Sequence, residues 1–145
     1  MTNPDQKPYL EPTQESGKAF VERQMQGPIY MLNLLKFRHI ANYVGTPHLA
    51  PNPPISGRDA FYLYIQHTLP LLRETGGDLV FLGEGGRFLI GPEAEVWDMV
   101  MLVRQASAAP FLAFQTHPGY LAGLGHRTAA LEDSRLLPLG EIPLG

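Results

Sequence analysis

One neutral amide, Asn33, lies in the middle of a mostly apolar run that extends from Ile29 to Phe37. A buried amide without hydrogen-bond partners costs about 1–3 kcal/mol, so Asn33 needs partners wherever this run is buried. In a cavity, its side chain could orient a substrate carbonyl or an oxygen species. The alternative is a structural hydrogen bond to nearby backbone. Asn33 is therefore a candidate catalytic residue with a structural alternative.

His126 and Arg127 form a second group of candidates, late in the chain. A histidine titrates near pH ~6.5 and can act as a general base. An arginine can hold a carboxylate through two parallel hydrogen bonds. Alternatively, Arg127 joins an ion-pair cluster that fixes the last strand. That cluster would comprise Arg127, Glu132, Asp133 and Arg135.

Three further side chains are candidates for ligand binding. Tyr64 falls on the apolar stripe of a predicted helix, where its hydroxyl needs a partner, although core packing explains it equally well. Trp97 is the second residue of a further apolar run and could either line a cavity or belong to the core. Arg38 directly follows the first run, where it could attract an acidic ligand or stay solvated.

No metal site is expected from the sequence. The chain has no cysteine, which excludes disulfides, thiolate catalysis and cysteine-bound metals. The glycine-rich run 83–88 fails the dinucleotide-binding pattern because Phe88 replaces its last glycine, and no P-loop or Gly-x-Ser-x-Gly motif is present. The histidines lack the spacings typical of metal ligands: His39, His48, His67, His117 and His126.

The composition favours one soluble globular domain. The chain has 145 residues, of which 44% are apolar and 17% charged, and a domain of this size can bury a sufficient core without cross-links. The net charge of −3 gives no reason to expect nucleic acid or an anionic membrane as a partner. Because no signal peptide or membrane-spanning run is visible, we expect a cytoplasmic protein.

The elements that must position the candidates follow from local patterns. Residues 1–26 are interpreted as a loose arm and a short helix, 27–140 as one domain, and 141–145 as a tail. The long segment 38–55 has four prolines and is either a lid or a contact with a second subunit. The remaining elements are strand 29–37, a helix capped by Ser56, a hairpin that turns at Gly85–Gly86, strand 96–105, helix 108–115 and strand 134–139. The glycines Gly123 and Gly125 are expected to release the chain from the helical region before the last strand.

This order is the split βαβ pattern of ferredoxin-like α+β folds, in which both helices cover one face of an antiparallel sheet. The two best strands are apolar on both faces, whereas a sheet with one wet face alternates apolar and polar residues. Five large apolar side chains left in water would forgo on the order of 8–15 kcal/mol. We therefore expect a homodimer in which two sheets pack together. One of two sets would be left uncovered, either Tyr30, Leu32, Leu34, Val100 and Leu102 or Met31, Leu35, Met99, Met101 and Val103.

Several strings resemble the family known as domain of unknown function 1330. They are Leu32–Arg38, Gly57–Phe61, Gly76–Gly77, Trp97–Asp98 and His126–Leu136. The resemblance implies a member of the dimeric α+β barrel superfamily, which includes cofactor-free and haem-degrading monooxygenases, lactone isomerases and proteins without known chemistry. It also implies a ligand cavity between the sheet and the helices. In the haem-degrading relatives an Asn of the first strand and a Trp of the third are catalytic, and Asn33 and Trp97 occupy similar places.

The leading hypothesis is a homodimer that binds a small, partly apolar organic molecule in each protomer. It would oxidise or isomerise this molecule without a tightly held cofactor. Asn33 would orient the substrate, Trp97 and Tyr64 would line the cavity, and His126 with Arg127 would transfer a proton or bind an anion. One alternative is a non-catalytic binding or structural module. A third is haem binding, for which His117 and His126 are the candidate axial ligands.

Overall fold

The computed structural model describes residues 7–145, so the predicted arm falls partly on residues 1–6, outside the described part of the chain. Four strands form one antiparallel sheet in the order β2-β3-β1-β4. This confirms the predicted ferredoxin-like α+β fold. The elements are α1 (Gln14–Glu22), β1 (Ile29–Phe37), α2 (Gly57–Glu74), β2 (Asp78–Arg87), β3 (Val96–Gln105), α3 (Ala108–Phe114), α4 (Pro118–Ala130) and β4 (Leu131–Gly140).

The two faces of the sheet separate as the residue parity predicts. One side, here called the helix-side face, packs beneath the helices and includes Met31, Leu35 and Met99, each at most 2% exposed. The other side, here called the open face, keeps its apolar residues only half-buried. The open face consists of Tyr30, Leu32, Leu34, Val100 and Leu102.

Helix α2 begins where the sequence predicts. The Ser56 hydroxyl accepts a hydrogen bond from the Asp59 backbone N–H at 3.0 Å, which satisfies one of the free donors of the first turn. The buried side of the helix includes Phe61, Tyr64 and Leu72, spaced by three to eight residues as one face of a helix requires. This face positions the Tyr64 phenol above the helix-side face of the sheet. Within residues 7–145, no helix combines the length and apolarity needed to cross a bilayer.

The predicted hairpin turn at Gly85–Gly86 is wrong. Strand β2 continues through both glycines to Arg87, and the turn to β3 lies in residues 88–95. A side chain at Gly85 would collide with the backbone carbonyl of Trp97 on the neighbouring strand. Glycine is therefore present here because two backbones approach closely, and not because the chain reverses.

The predicted release of the chain at Gly123–Gly125 is also wrong, because α4 continues through both glycines to Ala130. The missing side chain of Gly123 makes room for the imidazole of His67 on α2. Gly125 similarly makes room for Thr46 of the 38–55 segment. Close packing of α4 against its neighbours offsets the low helix propensity of glycine. The last strand correspondingly starts at Leu131, three residues before its predicted start.

Candidate functional site

A cavity of about 810 Å³ lies between the helix-side face of the sheet and the helices. Its roof is formed by the three helices α2, α3 and α4, and one side is lined by residues 9–12 together with α1. The lining is mostly apolar and contains a few polar groups. The polar or charged residues of this lining include Glu11, Asn33, Tyr64, Gln105, Tyr120, Arg127 and Arg135.

Asn33 is 5% exposed and faces this cavity. Its Nδ2 donates to the Met31 carbonyl at 3.1 Å and to the Met101 carbonyl at 3.3 Å, so both amide hydrogens are used. These two bonds fix the orientation of the amide, and its Oδ1 accepts no hydrogen bond from the described residues. Asn33 thus combines the predicted structural bond with an acceptor that remains for a ligand.

Two tyrosines meet in the roof of the cavity. The Tyr64 hydroxyl donates to the Tyr120 hydroxyl at 3.2 Å. Burial raises the pKa of Tyr64 above its ordinary value of 10.0, the charge and hydrogen bond of Tyr120 raise it further, and the nearby Arg127 opposes the rise. Thr68 also opposes the rise, although no hydrogen bond of normal geometry joins it to the phenol. Tyr64 is therefore a neutral hydrogen-bonding group at any physiological pH.

Arg127 reaches the cavity from α4. Its Nη1 donates to the Leu10 carbonyl at 2.7 Å, and no carboxylate of residues 7–145 lies within ion-pair distance. The predicted four-residue ion-pair cluster therefore does not form, and only its Asp133–Arg135 part is present. Arg135 pairs with Asp133 at 2.8 Å, and Lys36 contacts Glu132 at 3.8 Å. Arg127 remains a cation that a ligand can neutralise.

The arm is held against β4 at the edge of the cavity. The Tyr9 backbone N–H donates to Asp133 Oδ1 at 2.8 Å, and the Ser134 hydroxyl donates to the Tyr9 carbonyl. The Arg135 guanidinium lies 4.7 Å from the centre of the Tyr9 ring. Sequence reasoning missed this role of Tyr9, because the contact joins residues 124 positions apart and no local pattern reports it.

Tyr120 is a second residue that the sequence reasoning missed. A recognisable signal was present, because Tyr120, Leu124 and Arg127 follow the i, i+4, i+7 spacing of one helix face, and all three line the cavity. The glycines between them masked this periodicity. A continuous α4 places the three side chains together.

Trp97 does not line the cavity, contrary to the prediction that it forms a wall. The indole Nε1 donates to a carboxylate oxygen of Glu95 at 3.1 Å, and the ring lies 5.0 Å from the Arg135 guanidinium. Trp97 is 4% exposed. Its contacts are those of a packing residue near the start of β3.

His126 also lies outside the cavity. Its Nδ1 shares a 2.7 Å hydrogen bond with the Tyr43 hydroxyl of the 38–55 segment. Partial burial lowers the pKa of His126 below 6.5, and the neighbouring His67 lowers it further. Adjacent residues on a helix point in different directions, so Arg127 reaches the cavity and His126 does not. The predicted pairing of these two residues at one ligand is therefore not what the structure shows.

Arg38 anchors the start of the 38–55 segment and does not line the cavity. Its backbone N–H donates to the Ala130 carbonyl at 2.8 Å, and its carbonyl accepts from the Gly57 N–H at 3.0 Å. The segment continues along α4, where Asn42 donates to the Ala129 carbonyl at 2.9 Å. Since none of its residues lines the cavity, the segment is not the lid of this cavity.

The predicted site residues thus divide into two groups. Asn33, Tyr64 and Arg127 line one cavity, whereas Trp97, His126 and Arg38 lie elsewhere. Among residues 7–145 no group of three or more potential metal ligands is found.

The fold and cavity define a small ferredoxin-like α+β protein, and known structures specify its family. The chain is 33% identical to the RPA0582 protein of Rhodopseudomonas palustris, a protein of unknown function, over 94% of this chain and 99% of that chain, with a TM-score of 0.78. The methylated RPA0582 protein gives a TM-score of 0.80 over 95% of this chain and 98% of that one, also at 33% identity. The chain belongs to the same family as the RPA0582 protein.

A more distant structure supports the fold alone. It is a dimeric ferredoxin-like protein of unknown function from Jannaschia sp. CCS1, 16% identical, with a TM-score of 0.51 over 79% of this chain and 100% of that chain. No protein-family model and no curated protein matches the chain. The resemblance to the domain of unknown function 1330 family therefore stays a prediction.

Proposed function

We propose that the protein binds a small, partly apolar organic molecule in the cavity between its sheet and helices. The observation that carries this proposal is the cavity of about 810 Å³ with Asn33 and Arg127 in its lining. Ligand sites typically measure ~300–1,000 Å³ and combine apolar walls with a few polar groups. The apolar walls here include Ile65, Leu69, Met101, Val103, Phe111 and Leu124.

The proposed assembly is a homodimer that pairs the open faces of two copies. Tyr30, Leu32, Leu34, Val100 and Leu102 give this face a contiguous apolar centre. Two side chains extend it onto the edge strands, because Phe81 pairs with the Leu102 position and Leu137 with the Leu32 position. These two are 57% and 54% exposed. Large exposed apolar patches mark interaction sites, and the Jannaschia protein is described as dimeric.

Binding without chemistry is favoured over the monooxygenase or isomerase alternative. Abstraction of a proton needs a base beside the substrate, yet among the described residues no histidine lines the cavity. The Tyr64 phenol stays neutral because burial raises its pKa. The carboxylate of Glu11 lines the cavity from an exposed position, where its charge is solvated. If oxidation or isomerisation does occur, Glu11 is the residue to test as the base.

The residues present do not fit a haem in this cavity. Neither candidate axial ligand lines it. His126 contacts Tyr43 of the 38–55 segment through Nδ1, and His117 caps α4 by accepting from the Gly119 N–H at 3.0 Å, so both rings are held at other places in the fold. Addition of hemin is expected to leave the Soret band of free hemin unchanged, and a shifted, saturable band would revive this alternative.

Calorimetric titration with a panel of apolar acids and quinones tests the proposal directly. Val103→Phe fills part of the cavity and should weaken binding by at least about tenfold, because the ligand loses volume and apolar contacts. Val44→Phe is the matched control, since Val44 is 84% exposed on the 38–55 segment and does not line the cavity. Equal binding by both variants would place the ligand elsewhere and overturn the proposal.

A further inference from the structure

Resting on the proposed function, we infer that the ligand is a hydroxylated apolar monocarboxylate. Its carboxylate would bind the guanidinium of Arg127, its hydroxyl would donate to Asn33 Oδ1, and its body would lie along the apolar walls. Three features of the cavity indicate this chemical class. They are the unneutralised cation of Arg127, a lining that accepts one negative charge, and a free acceptor at Asn33.

The first feature is the state of Arg127. Arg127 is half-buried in a mostly apolar lining, so its guanidinium is only partly hydrated and a bound anion would stabilise it. Leu10 provides one carbonyl for Nη1, and the remaining N–H groups make no hydrogen bond with residues 7–145. The free donors of a guanidinium form a planar fork that matches a carboxylate. The Arg127 guanidinium therefore has free donors with which a ligand carboxylate can form a bidentate ion pair.

The second feature is the amount of negative charge that the cavity lining can neutralise. Arg135 also lines the cavity, but Asp133 already neutralises it at 2.8 Å. Glu11 is the acidic residue of the described lining, and it is exposed and outside ion-pair distance of either arginine. One uncompensated positive charge suits one carboxylate. A phosphate would bring a second negative charge without a second free cation.

The third feature is the acceptor at Asn33. Because both Nδ2 hydrogens are bonded to main-chain carbonyls, the amide cannot rotate without losing two hydrogen bonds. Its Oδ1 is thus held as an acceptor, which selects a ligand hydroxyl over a ligand carbonyl. Gln105 adds a second buried acceptor, since its Oε1 is buried and has no hydrogen-bond partner among the described residues.

Three related molecules separate the contributions of charge and hydroxyl. The probes are 6-hydroxy-2-naphthoate, 2-naphthoate and 6-hydroxy-2-naphthamide, which share one apolar body. We expect 6-hydroxy-2-naphthoate to bind most tightly in calorimetric titrations. The neutral amide should bind at least about tenfold more weakly, because it loses the charge-assisted bidentate contact. Removing the hydroxyl should weaken binding about threefold to tenfold.

Variants assign each difference to its residue. Arg127→Gln should remove the preference for the acid over the amide, and it keeps a donor for the Leu10 carbonyl. Asn33→Ala should remove the preference for the hydroxylated acid over 2-naphthoate. Arg73→Gln is the control, because it removes the same charge from an exposed position outside the cavity lining. Thermal unfolding followed by circular dichroism confirms that each variant folds.

The outcomes distinguish this inference from the proposed function. Equal binding of the acid and the amide to the unmodified protein, with a loss in Val103→Phe, would leave a ligand cavity and overturn the carboxylate. An acid preference that persists in Arg127→Gln would overturn the role of Arg127. Failure of all three molecules to bind would overturn the proposed function and this inference together.

Discussion

Arg127 on α4 donates a 2.7 Å hydrogen bond to the carbonyl of Leu10, a residue 117 positions earlier in the chain. The bond crosses from the roof of the cavity to the arm that closes its side. One arginine therefore contributes to both the closure and the charge of the cavity. A substitution at Arg127 must be assessed for binding and for arm attachment separately.

Ser134→Ala should loosen the arm. The Ser134 hydroxyl donates to the Tyr9 carbonyl, and its loss leaves a carbonyl without its partner at a cost of about 1 kcal/mol. Limited trypsin digestion followed by mass spectrometry should show faster cleavage after Lys18 and Arg23. Thr116→Ala removes a comparable hydroxyl-to-carbonyl bond, to Ala113 at the end of α3, and should leave the cleavage rate unchanged. Equal rates in both variants would contradict the proposed attachment.

His126 should make stability depend on pH. Because partial burial and His67 lower its pKa in the folded state, the unfolded chain binds a proton first as the pH falls. Stability is therefore lost as the pH falls below ~6.5 towards the folded pKa, and it is unaffected by this group above that range. Urea unfolding between pH 5 and 8 should show a flatter profile in His126→Asn.

The matched variant for this effect is His67→Gln, which removes the second cause of the shift. It should flatten the profile less than His126→Asn does, since burial is the larger cause. Profiles that are identical in the unmodified protein and in His126→Asn would show that His126 does not contribute.

Asn33→Asp should destabilise the fold more than Asn33→Ala does. The aspartate would place a buried charge against the carbonyls of Met31 and Met101, which now accept from Nδ2. We expect a loss of about 2–4 kcal/mol at pH 7, compared with about 1–2 kcal/mol for alanine. Protonation restores a donor, so the loss should shrink as the pH falls through the raised pKa of the new carboxyl group.

Asn42→Asp controls for the general effect of this substitution, because Asn42 is exposed and its Oδ1 accepts from the Val44 N–H at 3.0 Å. A carboxylate can accept the same bond, so urea unfolding should change by less than about 0.5 kcal/mol. Similar losses at positions 33 and 42 would show that the Asn33 bonds are unimportant for stability.

Substitution by alanine at two glycines should change the free energy of unfolding in opposite directions. A side chain at Gly57 would collide with the main-chain carbonyls of Arg38 and Ala130, and backbone cannot yield easily. Gly57→Ala should therefore cost more than about 2 kcal/mol in urea unfolding. Gly17→Ala should instead stabilise by about 0.5–1 kcal/mol, because this position in α1 has open space around it. Two stabilising results would contradict the close approach at Gly57.

The fold was predictable where burial repeats along one element. Strand side chains alternate strictly, so the sequence groups Met31 with Leu35 on one face of β1, and the structure shows that this face lies beneath the helices. The glycines in β2 and α4 were misread because the contacts that require them are made by residues distant in sequence. Gly85 lies against the Trp97 backbone, and Gly123 lies against the His67 ring.

The site was predictable in part for the same reason. Asn33 and Tyr64 lie on faces whose burial follows from periodicity, and both line the cavity. Whether His126 or Arg127 faces the cavity depends on how α4 is rotated about its axis. This rotation could not be fixed from the sequence, because the predicted helix ended before these two residues. The contacts of Tyr9 depend on where the arm docks, which no periodic pattern specifies.

Helix α1 has no buried residue, although its Thr13–Ser16 capping box is complete. A nine-residue helix that buries so little gains little from tertiary packing, which is the main source of helix stability in proteins. Its amide hydrogens should exchange with solvent through openings that cost far less free energy than unfolding the sheet. We therefore expect small molecules to reach the interior through openings of α1 while the four strands keep their native pairing.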